Sequence, residues 1–113
     1  MLLAVITLSA QDITGKWTGV LKVTDQTGQP VEFRLNFNIS TTDNGYTSTM
    51  DSPDQNAYGM AVDTTFFKDK ELTIKIAQYD VLYVGNLVDD TNLKGTLTQF
   101  GQSNELNMKK ETE

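Results

Sequence analysis

Apolar and polar side chains alternate along almost the whole chain, and this period of two restricts the fold more than any other feature of the sequence. The clearest run lies between residues 31 and 39, where the apolar members are Val31, Phe33, Leu35, Phe37 and Ile39. Such alternation is typical of a β-strand with one buried face and one solvated face. Clusters of turn-forming residues interrupt the pattern at short intervals, which predicts a series of short consecutive strands.

The alternation predicts eight or nine strands, and no segment has a helical period long enough to indicate a helix. The other inward-facing rows are Trp17, Gly19, Leu21 and Val23; Leu72, Ile74 and Ile76; Val81, Tyr83, Gly85 and Leu87; Leu93, Gly95, Leu97 and Gln99; and Leu106 with Met108. A flat sheet of so many antiparallel strands would leave unpaired edges and an uncovered apolar face. The sequence therefore predicts an all-β fold, a single antiparallel up-and-down barrel of about eight to nine strands.

The sequence also predicts the hairpin between the second and third strands and the side chains on one face of the fourth. The Asn44-Gly45 pair is typical of a type I′ hairpin, in which both central residues have positive φ, and it should join the second and third strands. A fourth strand should present one face made of Tyr58, Met60, Val62, Thr64 and Phe66, and Met60 and Phe66 should point inward.

Composition restricts the chemistry that this fold can perform. The 113 residues are enough for one domain with one core. The chain has no cysteine and no histidine, which excludes thiolate metal sites, a cysteine nucleophile and a Ser/His/Asp triad. Nine Lys and Arg against 15 Asp and Glu give a net charge of −6, which disfavours binding to nucleic acid. We therefore expect no cofactor, no nucleic-acid partner and no enzymatic activity of the chain's own.

The first residues form a separate apolar segment, 1–10, which ends in Leu8-Ser9-Ala10. It resembles the hydrophobic core and cleavage edge of a secretory signal peptide, although no positively charged segment precedes it. The alternative is a first β-strand or an apolar terminus docked on the domain. The prediction divides the chain into a signal-peptide remnant at 1–10, a β-barrel domain at 11–110 and a tail at 111–113. It implies an extracytoplasmic location, periplasmic or secreted, without an integral membrane span.

The first predicted strand opens with Gly15-Lys16-Trp17. A Gly-x-Trp sequence at the start of a β-meander resembles the lipocalins and lipocalin-like proteins, in which the tryptophan plugs one end of the barrel. The resemblance implies a structural plug of Gly15 and Trp17 that a late basic residue covers through a cation–π contact. We assign this place to Lys109, with Lys110 as the alternative.

A longer resemblance rests on five segments in order: Trp17-Thr18-Gly19-Val20-Leu21, Met50-Asp51-Ser52-Pro53-Asp54-Gln55, Gly59-Met60-Ala61-Val62-Asp63, Tyr83-Val84-Gly85-Asn86-Leu87 and Lys94-Gly95-Thr96-Leu97-Thr98-Gln99-Phe100-Gly101-Gln102. They are similar to the small β domain that precedes the catalytic domain in certain secreted bacterial α/β-hydrolases and peptidases. The resemblance covers most of residues 12–110 and implies a lipocalin-like barrel with an α/β-hydrolase domain as partner. The sequence departs from this pattern in lacking the hydrolase half, and it has Met60-Ala61 where the family tends to have Ile-Pro.

The inward-facing side chains are the candidate binding residues for a small apolar ligand. They are aromatic residues and methionines with one polar member, namely Trp17, Phe33, Phe37, Tyr46, Met50, Met60, Tyr83 and Gln99. The interior of a barrel of about eight strands lies between a filled core and a ligand cavity, and the alternative is that these residues fill it. On the outside, the candidates for an exposed apolar patch that contacts a partner are Tyr79, Leu82, Val84 and Phe100.

Acidic residues cluster around Pro53, where Asp51 and Asp54 lie near Gln55 and Asp63. Oxygen ligands of this kind suit a hard cation. Their spacing matches no calcium loop, however, and the same residues are typical turn formers. No metal site is therefore predicted.

Two functions follow from these observations. The first is a non-catalytic accessory or binding domain of a secreted hydrolase system, which docks on a partner or on the substrate. The alternative is an autonomous lipocalin-like carrier of a small apolar ligand. An enzyme that uses only carboxylates is a third and weaker hypothesis, because the usual general bases are missing.

Overall fold

The computed structural model describes residues 12–111, so the predicted signal remnant at 1–10 and the last two residues of the tail lie outside the described residues. Ten β-strands account for most of this range, joined by tight turns and two short 3₁₀ turns, Pro53–Gln55 and Ala77–Tyr79. The strands are β1 (Gly15–Thr24), β2 (Pro30–Thr42), β3 (Gly45–Ser52), β4 (Ala57–Ala61), β5 (Thr64–Lys68), β6 (Glu71–Ile76), β7 (Val81–Asp89), β8 (Asn92–Gln99), β9 (Gln102–Glu105) and β10 (Met108–Lys110). The predicted all-β class is confirmed.

All strands belong to one antiparallel sheet in the order β4-β3-β2-β1-β10-β8-β7-β6-β5, with β9 also paired to β8. Most strands that follow one another in sequence are therefore paired, as expected of an up-and-down meander; β4 and β5 are not. The first and last strands also meet, since Trp17 of β1 lies opposite Lys110 of β10. The strand count exceeds the prediction for two reasons. The fourth predicted strand is divided into β4 and β5, and the end of the chain forms two short strands, β9 and β10, along successive parts of β8.

The sheet curls so that its inner face packs against itself. Phe37 on β2 and Tyr83 on β7 are not on neighbouring strands, yet their ring centroids lie 5.3 Å apart. The buried core consists of one cluster, made of Ile13, Trp17, Leu21, Leu35, Phe37, Ile39, Met50, Leu72, Ile74, Ile76, Val81, Tyr83, Leu87, Leu93, Leu97, Leu106 and Met108. The alternating rows of the sequence thus form the inner face of the curled sheet.

The hydrogen-bonded sheet is not closed, because within residues 12–111 no strand ladder joins β4 to β5. Side chains span this seam instead. The hydroxyl oxygens of Ser48 on β3 and Thr65 on β5 lie 2.6 Å apart, and the Tyr46 and Phe67 rings meet edge to face at 6.2 Å. The predicted closure of the sheet by a continuous ladder is thus replaced here by side-chain contacts.

The fourth predicted strand is in fact two strands, and the expectation that Phe66 points inward was wrong. The chain turns at Asp63, whose backbone N–H donates to Lys75 O at 2.9 Å and whose carboxylate accepts a hydrogen bond from the Ala77 N–H at 2.6 Å. This turn changes which residues face inward, so Phe67 packs against the core and Phe66 is 56% exposed.

The hairpin between β2 and β3 forms as predicted, but its conformation differs. Thr42 pairs with Gly45, so the two-residue loop is Asp43-Asn44, and neither Asn44 nor Gly45 has a positive φ. Two consecutive positive φ values occur instead at Asp69 and Lys70, in the turn between β5 and β6, and at Phe100 and Gly101, in the turn between β8 and β9. The register set by the long apolar alternation of β2 places Gly45 within β3, and the strand pairing outweighs the preference of the Asn-Gly pair.

Candidate functional site

One end of the curled sheet, which we call the Trp17 end, is closed by side chains. Trp17 is fully buried, and its indole N–H donates a hydrogen bond to Ile13 O at 2.9 Å. The Lys110 ammonium lies 5.9 Å from the centroid of the indole ring and donates to Asp12 O at 3.0 Å. A cation at this distance from an aromatic face is attracted by the ring quadrupole. The predicted plug is thus built around Trp17.

The residue that covers Trp17 is Lys110, so the assignment of this place to Lys109 is corrected. Side chains alternate along β10: Met108 is buried, Lys109 is exposed and Lys110 again lies toward the tryptophan. Since successive strand residues point to opposite faces, Lys109 cannot share the face of Met108.

Gly15 leaves the space that Lys110 occupies. Its φ is +129°, and a Cβ atom there would lie 2.8 Å from Lys110 Cε. A side chain at this position would therefore be strained and would displace the lysine stem. The three residues Gly15, Trp17 and Lys110 form the closed end together.

The middle of the inner face is filled by Phe37 and Tyr83, which are both fully buried. The Tyr83 hydroxyl donates to Leu106 O at 3.0 Å, and burial raises the pKa of Tyr83 well above its usual value. A Cβ atom at Gly95 would lie 2.5 Å from Tyr83 Oη, so the glycine makes room for the tyrosine. These predicted ligand-binding residues are instead part of the packed core, as is Trp17.

The opposite end contains a cavity of about 320 Å³, which we call the end cavity. Ten of its lining residues carry apolar or aromatic side chains, namely Leu21, Val23, Phe33, Leu35, Met50, Ala57, Met60, Tyr79, Val81 and Leu97; the other two are Gln55 and Gln99. Four predicted ligand-binding residues, Phe33, Met50, Met60 and Gln99, are therefore brought together here. The remaining one, Tyr46, lies at the seam against Phe67.

Pairing between strands places the cavity walls. Leu21 lies opposite Phe33, Met50 opposite Met60 and Val81 opposite Gln99. Because side chains of directly opposed residues share a face of the sheet, each pair contributes adjacent wall positions. The three pairs come from six different strands, which is how the sheet encloses a space.

The segment after β3 is held in place by Asp54, which positions Gln55 at the cavity. Asp54 accepts hydrogen bonds from the Arg34 backbone N–H at 2.8 Å and from Arg34 Nη2 at 2.9 Å, and the pKa of Asp54 is lowered by these bonds. The buried Ser52 hydroxyl donates to Gln55 Oε1. The 3₁₀ turn ends at Asn56, which has a φ of 54°.

Asp51 fixes β4 beside this segment. It accepts hydrogen bonds from the Gly59 N–H at 2.9 Å and from the Asn38 amide at 3.1 Å, with Asn36 at 3.4 Å. Partial burial acts to raise the pKa of Asp51, but these hydrogen bonds outweigh it and hold the pKa below its usual value. Asp51 thus holds strand β4 in place, and Asp54 holds the 3₁₀ turn. Within residues 12–111, no group of three or more acidic side chains is arranged to hold a metal ion.

Gln99 is held from the other side of the cavity. Its Nε2 donates to Tyr79 O at 2.9 Å, and the next residue, Phe100, donates from its backbone N–H to the Asp80 carboxylate at 3.0 Å. These bonds tie the end of β8 to the second 3₁₀ turn. They fix the orientation of the Gln99 amide at the cavity wall.

The lining therefore offers apolar surface and two neutral amides, and no charged side chain among the described residues lines it. Sequence reasoning missed Gln55 as a lining residue, along with aliphatic members such as Leu21 and Val81. The strand rows already placed Leu21 and Val81 inward. Gln55 lies in an irregular turn, where the period of two gives no direction for the side chain.

No helix within residues 12–111 has the length and hydropathy to cross a membrane. No family model, curated protein or solved structure matches the chain. The resemblance to the accessory domain of secreted hydrolases therefore stays a prediction.

Proposed function

We propose that this chain is a lipocalin-like binding protein that holds a small apolar molecule in the end cavity. The observation that supports this is the lining itself, in which ten apolar or aromatic side chains surround a space with two amides. Ligand sites in proteins are mostly apolar, with a few polar groups that orient the ligand. One closed end and one hollow end also suit a container with a single entrance.

The size of the cavity limits the ligand. At about 320 Å³ it lies at the lower end of the range of small-molecule sites, which begins at roughly 300 Å³. It corresponds to the liquid volume of about ten water molecules at roughly 30 Å³ each. This is room for a small ring system or a medium-length alkyl chain.

Titration with pyrene tests this function, because pyrene emission reports the polarity of its surroundings. We expect a saturable change in pyrene emission with a stoichiometry close to one pyrene per chain. Addition of decanol should reverse this change. Addition of decanol at saturation should also raise the unfolding free energy, since a ligand that binds only the folded state stabilises it. Pyrene emission that stays that of free dye at all protein concentrations would contradict the proposal.

A second proposal is that the domain docks on a secreted α/β-hydrolase, in the extracytoplasmic setting that the sequence resemblance implies. The observation that favours it is Phe100, which is 74% exposed and has a φ of 50°. A bulky residue in this conformation is strained, and strain of this kind concentrates at functional positions. Tyr79, which is 38% exposed, lies close to Phe100. The Tyr79 backbone oxygen accepts a hydrogen bond from Gln99, and the Phe100 N–H donates to the Asp80 carboxylate.

Replacement of Phe100 separates docking from folding. Because glycine adopts positive φ without strain, Phe100→Gly should leave stability unchanged or slightly higher. We expect it to weaken binding to a purified catalytic domain of such a hydrolase by about tenfold or more, as for a buried aromatic at an interface. The matched control is Tyr58→Ala, which removes another exposed aromatic, on β4. Equal binding by the wild type and both variants would refute a role of Phe100.

A further inference from the structure

The two glutamines of the end cavity each have one half of the amide already occupied. Gln55 Oε1 accepts a hydrogen bond from the Ser52 hydroxyl, which leaves the NH₂ group of Gln55 available to donate to a ligand. Gln99 uses Nε2 to donate to Tyr79 O, which leaves its carbonyl oxygen. Neither remaining group has a side-chain or backbone hydrogen-bond partner among the described residues. The cavity therefore presents one donor group and one acceptor group.

The Gln99 amide is oriented by a bond that a flipped amide could not make. A rotated Gln99 would place its oxygen against Tyr79 O, and two carbonyl oxygens repel each other. The acceptor from Gln99 is thus a fixed feature of the wall, and Gln55 supplies a donor while its oxygen accepts the hydrogen bond from Ser52. They match a ligand group that accepts one hydrogen bond and donates another, as a hydroxyl or an amide does.

Charge acts against an anionic ligand at this place. No lysine or arginine among the described residues lines the cavity, and the whole chain carries a net charge of −6. A carboxylate there would gain no cation and would face the net negative charge of the chain. It would also place an oxygen that can only accept beside the Gln99 carbonyl oxygen, which cannot donate.

We propose that the end cavity selects an uncharged molecule whose polar group both donates and accepts a hydrogen bond, and that it discriminates against the carboxylate of the same size. This inference rests on the proposed binding function. It assigns Gln55 and Gln99 as the residues that determine specificity, and the chemical class of the ligand as a medium-chain alcohol, a primary amide or a comparable neutral molecule.

A matched pair of competitors tests the selectivity on the intact chain. Decanol and decanoate have alkyl chains of similar length and differ in the charge of the polar group. With pyrene bound at neutral pH, we expect decanol to displace it at a concentration about tenfold or more below that of decanoate. Both competitors must be used below their micelle or aggregation concentrations, which light scattering checks.

Two variants connect the selectivity to the amides. Gln55→Leu and Gln99→Leu keep the approximate size of the side chain and remove its polar group. Each should lower the affinity for decanol about tenfold, the usual effect of losing one hydrogen bond to a bound ligand. The ratio of the decanol affinity to the pyrene affinity, measured on the same variant, should fall by the same factor, because pyrene has no polar group. Gln99→Leu loses the hydrogen bond to Tyr79 O, which can disturb the second 3₁₀ turn. Gln55 is exposed, so we expect Gln55→Leu to fold and to provide the test in that case.

The outcomes separate this inference from the binding function. Pyrene that binds but is displaced equally by decanol and decanoate would overturn the selectivity and leave the binding function standing. An unchanged decanol affinity in both variants would likewise exclude the glutamines as its determinants. Failure of the wild type to bind pyrene, decanol or decanoate would instead overturn the binding function itself.

Discussion

The two ends of the curled sheet are built from similar strands but packed in opposite ways. At the Trp17 end, a fully buried indole has its N–H bonded to Ile13 O and its face covered by Lys110. At the other end, apolar side chains surround about 320 Å³ of space. One curled sheet can thus close one end with packed side chains and leave a lined space at the other. Substitutions at the two ends should therefore affect different properties.

The largest expected effect is on stability at the Trp17 end. Trp17→Ala should lower the unfolding free energy by about 3–5 kcal/mol, as large-to-small replacements of buried aromatics do. Phe33→Ala at the end cavity should cost less, below about 2 kcal/mol, since Phe33 is only half-buried and already borders a space. Urea unfolding followed by far-UV circular dichroism measures both, because the chain has a single tryptophan and the first variant loses its emission.

If Trp17→Ala does not fold, Trp17→Phe gives the same comparison with a smaller cavity. The contrast between the ends would be broken if Phe33→Ala cost as much as either replacement of Trp17. That result would mean that the cavity walls carry as much packing energy as the plug.

The reverse effect is expected at the end cavity, where filling should abolish binding and spare stability. Ala57 lines the cavity and is half-buried. Ala57→Phe should place a ring in the empty space and lower pyrene affinity more than tenfold, with an unfolding free energy within about 1 kcal/mol of the wild type. Ala61→Phe is the matched control on the same strand, since Ala61 is exposed and does not line the cavity. Pyrene titration and urea unfolding of both variants provide the test, and equal loss of binding in both would contradict it.

A smaller effect distinguishes the two lysines of β10. Lys110→Gln removes the contact with the Trp17 ring and the hydrogen bond to Asp12 O, so it should cost about 1 kcal/mol. Lys109→Gln changes an exposed side chain on the other face and should stay within about 0.5 kcal/mol of the wild type. Both variants lose one positive charge, which makes them a matched pair. A larger loss in Lys109→Gln than in Lys110→Gln would restore the original assignment of Lys109.

The sequence predicts the inner face well wherever a long alternating run sets the register. The rows of β1, β2, β6 and β7 point inward as expected, and Ile74 and Tyr83 are fully buried. A run of this length has only one way to bury all its apolar members, because a slip by one residue exposes all of them. The burial of Phe37 and Tyr83 was thus predictable, although their role as packing rather than lining was not.

Prediction fails where side-chain contacts to distant segments decide the path. The change of face between Met60 and Phe66 depends on Asp63, which bonds to residues on and beyond β6. Gln55 reaches the cavity through a turn held by Arg34, some 20 residues away. Neither contact has a local periodic pattern, so no window of sequence around these residues contains the information. The end cavity could not be predicted for the same reason, because its volume depends on how six strands curl together.

The smallest expected effect is a difference in how the two ends respond to acid. Asp51 anchors β4 at the end cavity, and its pKa lies below the usual value because it accepts hydrogen bonds, chiefly from the Gly59 N–H. A carboxyl group with a lowered pKa stabilises the fold above its unfolded pKa of about 3.9, and this stabilisation is lost as the pH falls through the lower folded value. We therefore expect pyrene affinity to fall as the pH drops below the ordinary carboxyl pKa and through the lowered folded pKa of Asp51, while the near-UV circular dichroism of Trp17 is still native.

Asp51→Asn should remove part of this pH dependence, since an amide keeps the shape of the side chain but does not titrate. The matched comparison is Asp12→Asn at the Trp17 end, where the hydrogen bond from the Thr14 hydroxyl lowers the pKa of Asp12. That variant should leave the pH dependence of pyrene binding unchanged. Simultaneous loss of binding and of the Trp17 signal at one pH, in the wild type and in both variants, would show that the two ends unfold as one unit. The separation of stability from binding would then hold for packing but not for electrostatics.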